Sequence, residues 1–222
     1  MPWKKHGYMA WFPSLLWQAR PKVQALVERA GAHGRVIDIG AGGRRLAPHV
    51  RCIDFVKFPG TDVCGDAQCL PLRPDSIDLA IATGLLEHVA DDRAVFAELA
   101  RVLRPGGLAH VEIPFLQQSH DDPIDCRRFT ADGLRRELVR VGLVPVDSGA
   151  HMGPSVAVVN VLAYYAATLF EGRSAPLRAL STLVFFAASV ALWPLKFLDR
   201  FLIDRPTGRR LAFGVYCTAR KP

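Results

Sequence analysis

Asp38 lies in the stretch VIDIGAGGRRLAP, residues 36–48, with an apolar pair before it and Gly40, Gly42 and Gly43 after it. Glycine costs backbone entropy, so such a cluster needs a reason, and one reason is a ligand that must approach the main chain. Sixteen residues on, Asp54 ends a second apolar run. An acid at that place can accept both hydroxyls of a ribose. A third group is PFLQQSHDDPIDCRRFT, residues 114–130, which packs His120, Asp125 and Arg128 between apolar segments. An imidazole titrates near neutrality and can take a proton from an acceptor. Asp125 would orient it, and Arg128 would grip an anionic or sugar-bearing acceptor. Asp121 and Asp122 beside His120 suit magnesium, but adjacent acids are more often solvated, and no metal is assigned.

These residues need elements to hold them. Residues 22–30 read as a helix ended by Gly31, and residues 35–39, 51–55 and 77–82 as buried strands. Residues 91–103 form a helix with Val95, Leu99, Val102 and Leu103 on one face, stopped by Pro105-Gly106-Gly107. Residues 108–113 form a strand. Residues 130–141 form a helix with Thr130 as N-cap and Gly142 at its end. Residues 143–147 and 211–220 are the last strands. Helix and strand in alternation imply a doubly wound, mostly parallel sheet covered on both faces. Ligands then sit beyond the C-terminal strand ends, where Asp38, Asp54 and the loop after residue 113 all fall.

The glycine loop does not fit a pyrophosphate. Counting from Gly40, the last glycine of G-x-G-x-x-G is replaced by Arg45, and no G-K-S or G-K-T is present. The neighbouring motifs are more specific. D-x-G-x-G at residues 38–42 is followed by Asp54, G-D-A at 65–67, L-P at 70–71, D-S-I-D-L at 75–79, L-E-H-V at 86–89 and R-V-L-R-P-G-G at 101–107. This order resembles the class I S-adenosylmethionine-dependent methyltransferases, the type 11 group in particular, over roughly residues 33–147 with 211–220 as the final strand. The resemblance implies a seven-stranded Rossmann-like sheet and S-adenosylmethionine as cofactor. Gly40 and Gly42 would let the backbone meet its methionine part, with Asp38 orienting that part. Asp54 would hold the ribose hydroxyls, and Asp66 the adenine amino group beside the Ala67 amide. Such a cofactor has no phosphate, so it needs neither Lys nor magnesium. Where the family has a further glycine this chain has Arg44, with Gly43 shifted one place. The 114–130 loop resembles H-x-x-P-x-D-x-x-R-F-T in bacterial type 11 enzymes of glycan and lipid modification. His88 reads as a motif residue near the cofactor pocket, and His110 as structural.

The 222 residues suffice for one domain with an insertion. Five scattered cysteines without C-x-x-C suggest neither a zinc ribbon nor a disulfide framework, and suit a reducing, cytoplasmic setting. Residues 1–30 are set apart as an aromatic-rich segment with Trp3, Trp11 and Trp17, followed by the first helix, and not as a signal peptide. Residues 31–149 with 211–222 form the expected methyltransferase domain. Residues 150–210 form an apolar helical insertion in which 152–170 and 179–195 carry no charge. The second run, as a helix, reaches about 26 Å, just under a bilayer core of about 30 Å. Contact with a membrane through residues 152–205 is expected, either as a two-pass hairpin with Arg173 and Arg178 on the far side or as an interfacial hairpin with Lys196, Arg200, Arg205, Arg209 and Arg210 at anionic headgroups on the cytoplasmic face; the alternative is a helical cap buried against the sheet or in a dimer.

The expected function is therefore methyl transfer to a small-molecule or a lipid- or glycan-linked acceptor at the membrane surface. A nucleic-acid methyltransferase would suit the +7 charge, but no Asn/Asp-Pro-Pro-Tyr motif is present. A non-catalytic, membrane-associated binding module on the same fold is the third reading.

Overall fold

A computed structural model describes residues 19–120 and 124–222, so the N-terminal tryptophans, Asp121 and Asp122 lie outside the described residues. The chain divides into two compact units. One comprises the described residues Ala19–Phe115, Ser119–Gly149 and Val215–Pro222; the other takes Leu116–Gln118 and Ala150–Gly214.

The larger unit is the alternating helix and strand pattern realised. Helix α1 (Ala19–Ala30) leads to strands β1 (Val36–Ile39), β2 (Arg51–Asp54), β3 (Val63–Cys64) and β4 (Ile77–Thr83). A 3-10 turn at Leu86–His88 and helix α2 (Asp92–Val102) follow, then β5 (Leu103–Pro114), α3 (Ala131–Arg140) and β6 (Val144–Met152). Strand β7 (Gly214–Arg220) closes a seven-stranded sheet of order β3-β2-β1-β4-β5-β7-β6. The pairs β1–β2, β1–β4, β2–β3 and β4–β5 are parallel. Gly106 N donates to Lys221 O and Lys221 N to Gly107 O, which sets the start of β5 against the end of β7 and makes that pairing antiparallel. The strand order runs outward in both directions from β1 and β4, which is the arrangement that opens a ligand crevice at the strand ends.

Apolar periodicity explains the layers. Val95, Phe96, Leu99 and Val102 of α2 are fully buried, and each such side chain is worth about 1.5–3 kcal/mol on transfer from water. Val23 and Val27 of α1 pack on Val36, Leu79 and Ile81. Asp91 caps α2 by accepting from the Arg93 and Ala94 amides, and Thr130 caps α3 by accepting from Gly133 N at 3.0 Å. The expected stop at Pro105-Gly106-Gly107 needs correcting. Helix α2 already ends at Val102, and these residues run within β5, where the register shifts between Ile77 and Leu79.

The smaller unit is helical. Helix α4 (Pro154–Thr168) and helix α5 (Ala175–Leu192) are followed by a 3-10 segment Trp193–Leu198 and short helices α6 (Asp199–Leu202) and α7 (Pro206–Arg210). Tyr164 meets Phe185 at 4.7 Å between ring centroids, and Ser181 Oγ donates to Ala167 O at 2.9 Å, so α4 and α5 form an antiparallel hairpin. The start of α4 is capped from a distance: the fully buried Asp199 accepts from Ser155 N at 2.8 Å and Val156 N at 3.2 Å. Gly153 makes room for it, because a Cβ there would fall 2.3 Å from Asp199 Cγ. Val159, Ala163 and Ala167 turn inward on α4, whereas Ser189 alone is buried on α5. The stretch Ala175–Leu202 is long and apolar enough to cross a membrane by length and composition, and almost none of its apolar 18-residue window is buried.

Candidate active site

Asp38 sits in the middle of the sheet, paired beside Cys52 of β2 and Ile81 of β4, and is fully buried. The chain then turns through Gly40, Gly42 and Gly43, all with positive φ (70°, 59° and 83°). Gly40 has a second reason to lack a side chain: a Cβ would approach Leu85 Cδ1 to 2.9 Å. Asp54, at the end of the adjacent strand, holds the turn in place. Its Oδ2 accepts from Gly42 N at 2.8 Å and its Oδ1 from Val56 N at 2.9 Å. A carboxylate has about four acceptor positions, so two remain for hydroxyls. The glycine loop and the predicted ribose acid are thus one structure.

Arg44, the departure from the family pattern, reaches back over Asp38. Its Nε donates to Oδ2 at 2.9 Å and its Nη2 to Oδ1 at 2.7 Å. The Asp38 carboxylate is thus covered by a guanidinium, a feature that the motif positions do not reveal. Asp66 follows β3, the neighbour of β2, and its Oδ1 accepts from Gln68 N at 2.8 Å in a local turn, with the Gln68 amide at 3.1 Å from both oxygens. Ala67 beside it is buried.

The loop after β5 brings the other predicted residues together. Asp125 lies between His120 and Arg128. Its Oδ2 accepts from His120 N at 2.8 Å and faces His120 Nδ1 at 3.3 Å. Both Nη atoms of Arg128 bond its carboxylate, Nη2 to Oδ2 at 2.6 Å. This fork holds the Asp125 carboxyl well below the usual carboxylate range. Arg128, expected to grip an acceptor, thus holds the buried Asp125 carboxylate in place.

Two residues join this centre that the sequence reading did not put there. His88, in the 3-10 turn after β4, stands edge-on to His120 with ring centroids 5.0 Å apart. Its Nδ1 lies 2.6 Å from Ile124 O, and Cys126 N donates to Glu87 O at 2.8 Å, so the turn and the loop are stitched together. Glu87 itself is buried with Oε2 unbonded, and burial pushes its carboxyl up. The signal was the Glu-His pair of the L-E-H-V motif; its proximity to His120 is a product of the β4–β5 pairing. His110 is structural as expected: buried, with Nδ1 2.8 Å from Thr218 Oγ1 and Nε2 3.1 Å from Glu112. All five cysteines are free thiols.

This Rossmann-like sheet order is shared with solved methyltransferases. Residues 24–111 match the family described as "Methyltransferase domain". An uncharacterized methyltransferase of Mycobacterium ulcerans is 43% identical over 51 residues, 23% of this chain and 20% of that protein. A possible histamine N-methyltransferase of Thermotoga maritima is 17% identical over 98% of this chain and 95% of its own, with a TM-score of 0.57. A Burkholderia thailandensis 1,6-didemethyltoxoflavin-N1-methyltransferase, solved with bound 1,6-didemethyltoxoflavin and S-adenosylhomocysteine, is 18% identical over 98% of this chain and 83% of its own, with a TM-score of 0.55. The chain spans between a fifth and a quarter of the length of the first curated relatives it matches. Over residues 24–111 it is similar to the methyltransferase domain family, and over nearly its whole length it shares the fold of solved S-adenosylmethionine-dependent methyltransferases.

Proposed function

We propose that this protein transfers the methyl group of S-adenosylmethionine to an oxygen or nitrogen of a small-molecule or lipid- or glycan-linked acceptor. The observation that carries this reading is the Asp54 carboxylate beneath the glycine loop, at the same sheet edge that bears the His120–Asp125–Arg128 centre.

In this reading the backbone at Gly40 and Gly42 meets the methionine part of the cofactor, with the Arg44–Asp38 pair beside it. Asp54 accepts from the ribose hydroxyls. Asp66 and the Ala67 amide meet the adenine. Methyl transfer is an in-line displacement: the acceptor's lone pair forms the new bond to carbon as the carbon–sulfur bond breaks, and S-adenosylhomocysteine leaves neutral at sulfur. The protein supplies proximity and a place for the acceptor's proton. His120 takes that proton. Asp125 steadies the resulting imidazolium, and Arg128 keeps Asp125 in place and ionised.

A membrane-borne acceptor is favoured by the helical unit. The α4–α5 hairpin leaves Leu162, Tyr165, Leu169, Leu183 and Val190 exposed. Helix α4, at 15 residues, is about 22 Å long and too short to span a bilayer core of about 30 Å. The hairpin therefore lies in one leaflet, with the exposed Arg200, Arg205, Arg209 and Arg210 toward anionic headgroups. Lys196, expected among these cations, is instead buried with its Nζ 4.8 Å from the Trp193 ring centroid. The test is incubation of the purified chain with methyl-labelled cofactor and either a membrane-lipid extract or an aqueous metabolite extract. Label in the lipid fraction supports the full reading, label in the aqueous fraction supports a soluble acceptor, and label in neither contradicts methyl transfer to both classes.

A further inference from the structure

Glu87, His88 and His120 present ligand atoms that all lie within 4.8 Å of one another. Two imidazoles and one carboxylate on one side of a centre form the donor set of a divalent transition-metal site. Beyond the proximity, three details of the surroundings point the same way.

First, Glu87 is 2% exposed and its Oε2 has no hydrogen-bond partner, although the group is a carboxylate. A buried carboxyl with one oxygen unbonded is costly in its charged form unless a proton or a cation meets it. Second, His88 Nδ1 is committed to Ile124 O at 2.6 Å, which turns Nε2 toward Glu87 Oε1, 3.8 Å away. Third, His120 Nδ1 faces Asp125 Oδ2 at 3.3 Å. Metal-ligating histidines bind through one ring nitrogen and give the other to a backbone carbonyl or a carboxylate, which fixes the tautomer and raises the ligand's basicity. His88 shows the first kind of support, and the 3.3 Å ion-pair contact of His120 Nδ1 with Asp125 Oδ2 puts a carboxylate where the second kind would form. Arg128 in turn anchors Asp125, so the support extends one residue further.

We propose that Glu87, His88 and His120 bind one divalent transition-metal ion through Glu87 and the Nε2 atoms of the two histidines, with Ile124 O and Asp125 as the supporting groups. Bonds of about 2.1 Å bring ligand atoms to roughly 3–3.5 Å from one another, so the three side chains draw in by about an ångström when the ion binds. The residues come from two elements, the turn after β4 and the loop after β5, and no backbone rearrangement of the sheet is needed to close the set. Three protein ligands leave positions for water or for an acceptor oxygen. Held there, the ion would meet that oxygen in place of the His120 imidazole. Its binding does not depend on the acceptor-side role given to His120 above, and is read without acceptor or cofactor.

The probe is Co2+, followed by its visible absorption bands, with Zn2+ as competitor. The full chain is stripped with chelator, titrated, desalted and assayed for metal content. About one equivalent of Co2+ should bind, displaced by Zn2+. Glu87→Gln, His88→Ala and His120→Ala should each weaken binding at least tenfold and alter the spectrum. Asp125→Asn should weaken it roughly ten- to a hundredfold as a supporting residue. His49→Ala, away from the centre, should bind as the parent does. Circular dichroism identifies any variant that fails to fold. Because His88 and His120 lie on different elements, either one alone can carry the result. Failure of the parent chain to bind Co2+ or Zn2+ at 1 mM (roughly the ceiling of a meaningful site) overturns the proposal. So does equal binding by the parent and by the His88→Ala/His120→Ala double variant.

Discussion

Arg44 lays its guanidinium across both carboxylate oxygens of Asp38, at 2.7 and 2.9 Å. Asp38 is fully buried, while the Arg44 side chain is 41% exposed. The pair therefore joins a buried carboxylate on β1 to a half-exposed guanidinium. Arg44→Ala should leave Asp38 unpaired and destabilise the fold by about 1–3 kcal/mol. Urea unfolding of Arg44→Ala, Asp38→Ala and the double variant measures the coupling. The double variant should lose clearly less than the sum; additivity within about 0.5 kcal/mol would mean the two residues do not act as a pair.

His120→Ala should reduce methyl transfer about 10²–10⁴-fold once an acceptor is in hand, because a positioned base is lost. Affinity for S-adenosylhomocysteine should change little, since His120 lies after β5 and the glycine loop after β1. A rise in KM at unchanged kcat would make His120 a binding group instead.

Asp125 gives a pH signature. Arg128 depresses its folded pKa, so the carboxylate's contribution to stability is complete above its unfolded value of about 3.9. That contribution is lost as pH falls below about 4 toward the folded value. The difference in unfolding free energy between the parent and Asp125→Asn should hence shrink as pH drops from 5 toward 3. A gap that stays constant over that range would show that Asp125 is not ionised against Arg128 in the folded chain.

The helical unit predicts lipid binding. Leu183→Asp and Val190→Asp change side chains that are 64% and 67% exposed on α5. They should abolish most sedimentation with vesicles containing anionic lipid while leaving thermal unfolding nearly unchanged. Arg205→Gln with Arg209→Gln should weaken vesicle binding by about 1 kcal/mol per charge. A parent chain that does not sediment with such vesicles would remove the membrane from the account.

Much of this was legible in the residues, and what was not has physical causes. The buried strands at Val36–Ile39 and Ile77–Thr83 are apolar runs bounded by turn signals, and Asp91 and Thr130 precede their helices as caps should. Strand β3 has two residues, both exposed, and carries no periodicity to detect. The cap of α4 comes from Asp199, 44 residues from Ser155, and no local pattern encodes such a partner. The same holds at the site. Motif positions located Asp54 and His120 separately, but the Arg44–Asp38 fork and the approach of His88 to His120 exist only once β1, β4 and β5 are side by side. Lys196 illustrates the opposite error: a charge in a basic tail reads as exposed, yet its stem and ammonium pack among aromatic rings.

The most direct test of the central claim is calorimetric titration of S-adenosylhomocysteine into the full chain and its Asp54→Ala variant. Asp54 joins the Gly42 amide to the expected ribose hydroxyls, so its loss removes charge-assisted hydrogen bonds worth roughly 1.5–3 kcal/mol. One site per chain is expected in the parent, with an affinity about ten- to a hundredfold weaker in the variant. No binding by the parent, or equal affinity in both, would contradict this.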